Sequence, residues 1–299
     1  MSSTRPSTTA ALVASTLLLL RDDPAFRGIV DEAARDRIEA SVRTTIPAFG
    51  AALDRLPWLL VRQLAFAVER IISPGFIGHY ALRKHAIRGH LRAATDSGFR
   101  QVVLLGAGFD MLASSLPDAA LTFEVDLPAT QAAKRAACAA PPRTHFVTAD
   151  LARESLLDAL RGTGAFDRHA PTVFVAEGLL MYLAADRVAA LLDDVSRASS
   201  GGTRVILSVL TPDARGRFRI HSQRRVVDLC MRWLEEPFVW GIERGEIASL
   251  LSNHGFRLES ITCTTELRDA LLPRRARRRI PRRTGELVVV GSGGRAERF

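Results

Sequence analysis

The chain has 299 residues, 47% of them hydrophobic, which suffices for a substantial core and excludes a disordered or fibrous class. Its formal charge of +9 sets 39 arginines and only two lysines, Lys84 and Lys134, against 32 acids. Seven of the arginines fall within Pro273–Arg283 and the rest of the chain carries only +2, so the excess is one intense patch and excludes a uniformly basic surface.

In chain order, residues 1–9 are polar and read as a loose end. Arg5 and the apolar run Ala10–Leu20 imitate a secretion signal. However, Arg21-Asp22-Asp23-Pro24 follows at once with no small-residue cleavage site, and eleven residues fall short of the ~20 needed to span a bilayer. The run is predicted to be the first helix of a helical cap. Up to about residue 97 the apolar spacing stays helical, with breaks at Pro24, Pro47, Pro57 and Pro74. The stretch Trp58–Ile72 is apolar nearly all round, which predicts that it packs beneath other elements. Arg83, Lys84, His85, Arg88, His90 and Arg92 line the helical stretch Tyr80–Thr95.

Strand and helix patterns then alternate. Strands are predicted at 101–105, 121–126, 144–148, 172–177 and 203–210, with helices at 109–116, 129–139, 153–160 and 185–199. Such alternation implies right-handed crossovers and a parallel sheet covered on both faces. A helical insertion over Arg215–Glu236 and a helix at Arg244–Asn253 come next. Two last strands, 257–265 and 286–291, are joined by the arginine-rich segment and read as an antiparallel hairpin at one sheet edge. The expected organisation is a helical cap over 1–97 and an α/β domain over 98–299, with a lid insertion at about 215–240. Cys138, Cys230 and Cys263 lie far apart, without metal-ligand spacing or a disulfide framework, and fit a reducing cytoplasm.

The residue types at the strand ends carry the chemistry. The first strand, Gln101–Leu105, runs into Gly106-Ala107-Gly108-Phe109-Asp110, where glycines admit close approach of a ligand. A helix starting near Phe109 would aim free N–H groups over that turn. Leu121–Asp126 alternates, so Glu124 and Asp126 share a face, and an acid ending a second strand can accept both ribose hydroxyls. Asp150-Leu151, after the third strand, suits an adenine as acceptor and apolar wall, although Asp150 is equally suited to cap a helix. Glu177, after the fourth strand, reaches the carboxyl edge, where it can face an amine; buried alone it would be costly, so a partner is implied. His79, His85 and His221 are noted without a catalytic assignment, and no general base is nominated.

The runs GAGFD, FEVDLP with Lys134 soon after, TADL and AEGLLMYL, in this order, resemble the leucine carboxyl methyltransferase family, especially its bacterial S-adenosylmethionine-dependent branch associated with natural-product O-methylation. The resemblance covers roughly residues 75–260. It implies a Rossmann-like class I methyltransferase fold: a mostly parallel seven-stranded sheet with a terminal antiparallel hairpin and an N-terminal helical cap. It also implies S-adenosyl-L-methionine as cofactor and a carboxylate or hydroxyl of a small molecule as methyl acceptor. By motif, Gly106 would lie beneath the methionine part, Asp126 would bind ribose, and Asp150 and Leu151 would flank adenine. Glu177 would meet the methionine ammonium and Arg83 would hold its carboxylate. Two departures stand out: Met111-Leu112 after Asp110, where relatives have threonine and arginine, and Ile87-Arg88, where relatives carry an acid.

Two other readings compete. An NAD-dependent oxidoreductase is disfavoured because Gly-Ala-Gly-Phe-Asp-Met lacks the third glycine of the dinucleotide fingerprint. A non-catalytic binding protein would act through 273–283. Within the methyltransferase reading, Arg274–Arg283 is either a solvated loop or a dock for an acidic partner such as an acyl carrier protein. Nucleic acid is disfavoured, since no aromatics interleave with the arginines for base stacking.

Overall fold

The computed structural model describes residues 7–30, 35–117, 119–137, 140, 142–220, 222–234, 236–280 and 285–293. The expectations for residues 1–6, Cys138, His221, Arg282 and Arg283 lie outside them.

Five helices come first: α1 (Thr8–Leu19), α2 (Arg35–Thr45), α3 (Pro47–Arg55), α4 (Trp58–Ile72) and α5 (Phe76–Asp96). The Ser7 hydroxyl caps α1 by accepting the Ala10 N–H at 3.1 Å. The signal-like run then buries Leu17, Leu18, Leu19 and Leu20 against Phe26, Ile38, Val42 and the first half of α5.

The α/β part follows: β1 (Gln101–Leu105), β2 (Leu121–Asp126), α6 (Pro128–Ala137), β3 (Thr144–Thr148), α7 (Leu156–Arg161), β4 (Thr172–Ala176), α8 (Ala185–Ala198) and β5 (Thr203–Leu210). The chain closes with α9 (Arg225–Trp233), α10 (Ile247–Asn253), β6 (Phe256–Cys263), α11 (Thr264–Leu271), α12 (Arg274–Arg277) and β7 (Glu286–Gly293). The strands form one seven-stranded sheet in the order β3-β2-β1-β4-β5-β7-β6. The first five are parallel, and β7 runs antiparallel between β5 and β6.

The continuous apolar runs are explained by burial on two faces. Val103, Leu105, Phe123, Val125 and Phe174 pack with α7, α8 and α10 on one side. Val102, Leu104, Val173 and Val175 pack with Ile87, Leu91 and Ala94 of α5 on the other. Helix α5 therefore joins two cores. Ile77, Tyr80, Ala81 and Leu82 belong to the cap cluster, while Ala86, Ile87, Leu91 and Ala94 belong to the sheet cluster. Arg83 and Lys84 sit at the junction.

The structure corrects four expectations. No α-helix begins near Phe109, and only a 3-10 turn at Leu112–Ser115 occurs. The Asp110 carboxylate accepts the Leu112 N–H at 3.0 Å and Pro117 follows closely, so no longer helix develops. Helix α4 is not covered: Leu59, Leu60, Leu64, Val68 and Ile71 are exposed, since the helix attaches through Val61, Trp58 and Arg62 on its other side. Among the described residues of the insertion, helix is confined to α9; Pro212 and Phe218 are joined by an antiparallel bridge before it. The last two strands do pair antiparallel at the sheet edge, but their connection is not free of helix: α11 and α12 stand in it. The Glu266 carboxylate accepts the Cys263 N–H at 2.8 Å and starts α11.

Among the described residues, no helix is long and apolar enough to cross a membrane.

Candidate functional site

The carboxyl ends of β3, β2, β1 and β4 lie side by side and carry Asp150, Asp126, the glycine turn and Glu177 in that order. The turn needs its glycines. Gly106 has φ +63°, and a Cβ there would meet Leu179 Cδ1 at 2.9 Å; Gly108 has φ +47° and faces Ala10 of α1. The Gly106 N–H donates to the Val125 carbonyl at 2.8 Å, and the Gly108 N–H donates to Asp126 Oδ2 at 2.5 Å. The other Asp126 oxygen accepts the Leu127 N–H at 2.7 Å. Desolvation pushes the Asp126 carboxyl above its usual range, against the pull of these two amides.

Asp150 lies at the far edge. Its carboxylate accepts the Ala152 N–H at 3.0 Å within a turn, and Ser155 caps α7 instead, so the helix-capping alternative for Asp150 is not realised. Leu151 is buried beside it.

On the opposite flank lies a buried ionic network. Arg83 Nε donates to Glu177 Oε1 at 3.1 Å, and Arg83 Nη1 donates to both oxygens of Glu286 at 2.6 and 2.7 Å. Lys84 Nζ bridges Glu177 Oε2 at 2.7 Å and Asp110 Oδ2 at 2.5 Å. His79 joins Glu286 at 2.7 Å to the Thr264 hydroxyl at 2.6 Å. The buried Glu177 thus has its implied partner, and Arg83 is brought to it. Burial alone would push Glu286 up, but Arg83 and His79 more than offset it and hold this carboxyl down at about 2. Burial likewise opposes the charge on Lys84, yet Asp110 and Glu177 keep its ammonium above the ordinary lysine value. The other lysine is buried too: Lys134 pairs with Glu124 at 2.6 Å and donates to the Asp110 carbonyl at 2.5 Å. A chain so rich in arginine places its two lysines where a compact point charge can reach several oxygens.

Sequence reasoning assigned no role to Lys84, Asp110, Thr264 or Glu286. The legible signals were an acid opening an otherwise apolar strand (Glu286) and the scarcity of lysine.

An apolar patch borders the end of β4. Met181, Leu210 and Ile220 are buried, with Phe76, Tyr182, Phe218 and Phe238 packed on them. The Val239 N–H donates to the Met181 carbonyl at 2.8 Å, tying the stretch after α9 to the segment that follows Glu177. Burial raises the pKa of Tyr182, the charge of Glu236 adds to the rise, and Arg83 opposes it. From the other side, Ser7 and Thr9 lead α1 across the turn: the Ser7 N–H donates to the Thr130 hydroxyl at 3.4 Å, and the Thr9 hydroxyl meets Met231 of α9 at 3.9 Å.

Glycine turn, strand-end acids and the β7 insertion together define a class I methyltransferase. A solved methyltransferase-like structure from Thermobifida fusca has the same fold, with a TM-score of 0.59 at 18% identity over 97% of this chain and 96% of that one. An S-adenosylmethionine-dependent methyltransferase from Mesorhizobium loti aligns over 71% of this chain and 97% of its own, with a TM-score of 0.50 at 22% identity. The leucine carboxyl methyltransferase family model matches residues 19–196, and the chain belongs to that family. A Mycobacterium tuberculosis protein, provisionally named an S-adenosyl-L-methionine-dependent methyltransferase, is 33% identical over 71% of this chain and 68% of its own length. A relative from Parafrankia sp. with the same kind of name is 38% identical over 74% of this chain and 72% of its own. The chain is an S-adenosylmethionine-dependent methyltransferase.

Proposed function

We propose that the protein methylates an oxygen of a small, largely apolar molecule in the cytoplasm, in the manner of natural-product O-methyltransferases. The observation that carries the acceptor class is the patch of Met181, Tyr182, Leu210, Phe218, Ile220 and Phe238 beside the carboxyl end of β4. The free thiols of Cys230 and Cys263 are consistent with a reducing compartment.

The residues fit the cofactor on chemical grounds. Read across β3, β2, β1 and β4, they offer an acid with an apolar wall, an acid beside the turn, a Cβ-free floor and a final acid. A base, a ribose and an amino-acid arm joined in line call for that order. Asp150 and Leu151 would flank adenine, Asp126 would bind ribose, and Gly106 would lie beneath the methionine. Glu177 and Arg83 would meet its ammonium and carboxylate, with Lys84 holding the Glu177 carboxylate in place. When bound, the cofactor supplies a methyl group on a sulfonium, open to in-line displacement. The protein's part is to position the acceptor oxygen and to exclude water. The crossing of the turn by α1, and its contact with α9, support that closure.

Among the arginines of Pro273–Arg283, Arg279 pairs with buried Asp23 and Arg277 Nε donates to the Leu272 carbonyl at 2.8 Å. An acidic partner such as an acyl carrier protein would therefore meet the exposed Arg274, Arg275 and Arg278.

The test is a screen of phenols, alcohols and carboxylic acids with radiolabelled methyl donor, alongside calorimetric titration with S-adenosylmethionine, S-adenosylhomocysteine and NAD. Label in an O-methyl product supports the reading. Label only on nitrogen or carbon, or binding of NAD alone, would sink it.

A further inference from the structure

Next to the apolar patch stands a carboxylate that the reading above leaves unused. Glu236 follows α9, is 7% exposed, and its Oε2 is buried with no hydrogen-bond partner among the described residues. A buried carboxylate oxygen without a donor is costly, and such groups are retained where a ligand completes them.

Its place in the fold indicates which ligand. Its backbone N–H donates to the Met231 carbonyl at 2.9 Å, at the end of α9. Two residues on, the Phe238 ring packs on Tyr182 with centroids 5.4 Å apart, and Val239 and Trp240 both donate to the Met181 carbonyl. Burial raises the pKa of Tyr182, and the charge of Glu236 adds to that rise, so the carboxylate acts on the aromatic patch. Glu236 thus stands at the start of the segment that carries Phe238 onto Tyr182 and ties Val239 and Trp240 to Met181.

We propose that Glu236 accepts the hydrogen bond of a hydroxyl on the molecule to be methylated, and so selects hydroxyl-bearing acceptors over carboxylates. The inference rests on the methyltransferase reading and narrows its acceptor. A carboxylate acceptor would bring a second negative charge against a buried Glu236, which both desolvation and repulsion oppose. With a hydroxyl, the chemistry closes. The acceptor oxygen forms the new O–CH3 bond, and the sulfonium–carbon bond breaks with its electron pair passing to sulfur. The hydroxyl proton passes to the Glu236 carboxylate.

The experiment uses the full chain saturated with S-adenosylhomocysteine and two probes of matched shape, 2-naphthol and 2-naphthoate, titrated by calorimetry. The parent is expected to bind the naphthol at least about tenfold tighter, the scale of one hydrogen bond to a charged group. Glu236→Gln should lose that preference while binding S-adenosylhomocysteine as the parent does. Glu236→Asp should retain the preference in part. Equal or tighter binding of naphthoate, a preference that survives Glu236→Gln, or failure of both probes to bind overturns the assignment. Failure of the parent to bind S-adenosylhomocysteine overturns the methyltransferase reading instead, so the two failures are distinguishable.

Discussion

Asp126 binds two backbone amides, those of Gly108 and Leu127, and through them sets the shape of the glycine turn. In its proposed ribose role it has a second task, and Asp126→Ala should weaken S-adenosylhomocysteine binding by roughly 10- to 150-fold, the equivalent of about 1.5–3 kcal/mol for hydrogen bonds to a charged group. Calorimetry on the folded variant reads this directly. An unchanged dissociation constant would remove Asp126 from the site. Gly106 gives a second residue-scale test. Valine there meets a positive φ and the Leu179 side chain together, so Gly106→Val should cost about 1–3 kcal/mol in urea denaturation. The sequence made both positions legible because their signals are local: a glycine between apolar residues, and an acid at a strand end. Glu286 was not legible as a site residue, because its meaning comes from Arg83, 203 residues away.

Among the elements, α4 and α11 are where sequence pattern and structure part. An all-round apolar helix reads as buried, yet packing takes only the side of α4 that bears Val61, Trp58 and Arg62, and a stripe at Leu60, Leu64, Val68 and Ile71 faces outward. Leu64→Gln should therefore change stability by no more than about 0.5 kcal/mol in chemical denaturation. A loss of about 2–5 kcal/mol, typical of a core leucine, would mean that α4 is packed after all. Periodicity reports which faces are apolar but not how many neighbours are available to cover them. For α11 the signal was present in Thr264-Thr265-Glu266 and was masked by the arginines that follow. The helix carries Thr264 to His79, which connects the last crossover to the ionic network.

On the scale of the whole molecule, Glu286 opens β7, and its partners stand on α5, which joins the cap core to the sheet core. Folding lowers this carboxyl from 4.5 to about 2, so its stabilisation is fully present above about pH 4.5 and is lost as the pH falls toward 2. Acid titration of the parent should show that loss in the thermal midpoint, and Glu286→Gln should flatten it over the same window. At neutral pH the same variant leaves Arg83 without its bidentate partner and should lose about 3–5 kcal/mol in denaturant titration. A variant as stable as the parent would mean that the network contributes little to holding the cap on the sheet.

The strands, the glycine turn and the acids at the strand ends are written along the chain. Strands 101–105, 121–126 and 203–210 fall where the apolar runs place them, because a strand buried on both faces writes its own limits locally; the edge strand 144–148 also falls in place, although only Val147 of it is buried. Packing settled how charges are shared among Arg83, Lys84, Asp110, Glu177 and Glu286, that α4 keeps an outward apolar face, and that Glu236 is buried with an Oε2 that has no donor among the described residues. The reason is physical. Backbone pattern is a property of neighbours along the chain, whereas a buried charge takes its partners from whatever elements converge on it, and convergence across some 90 to 200 residues is settled only by packing.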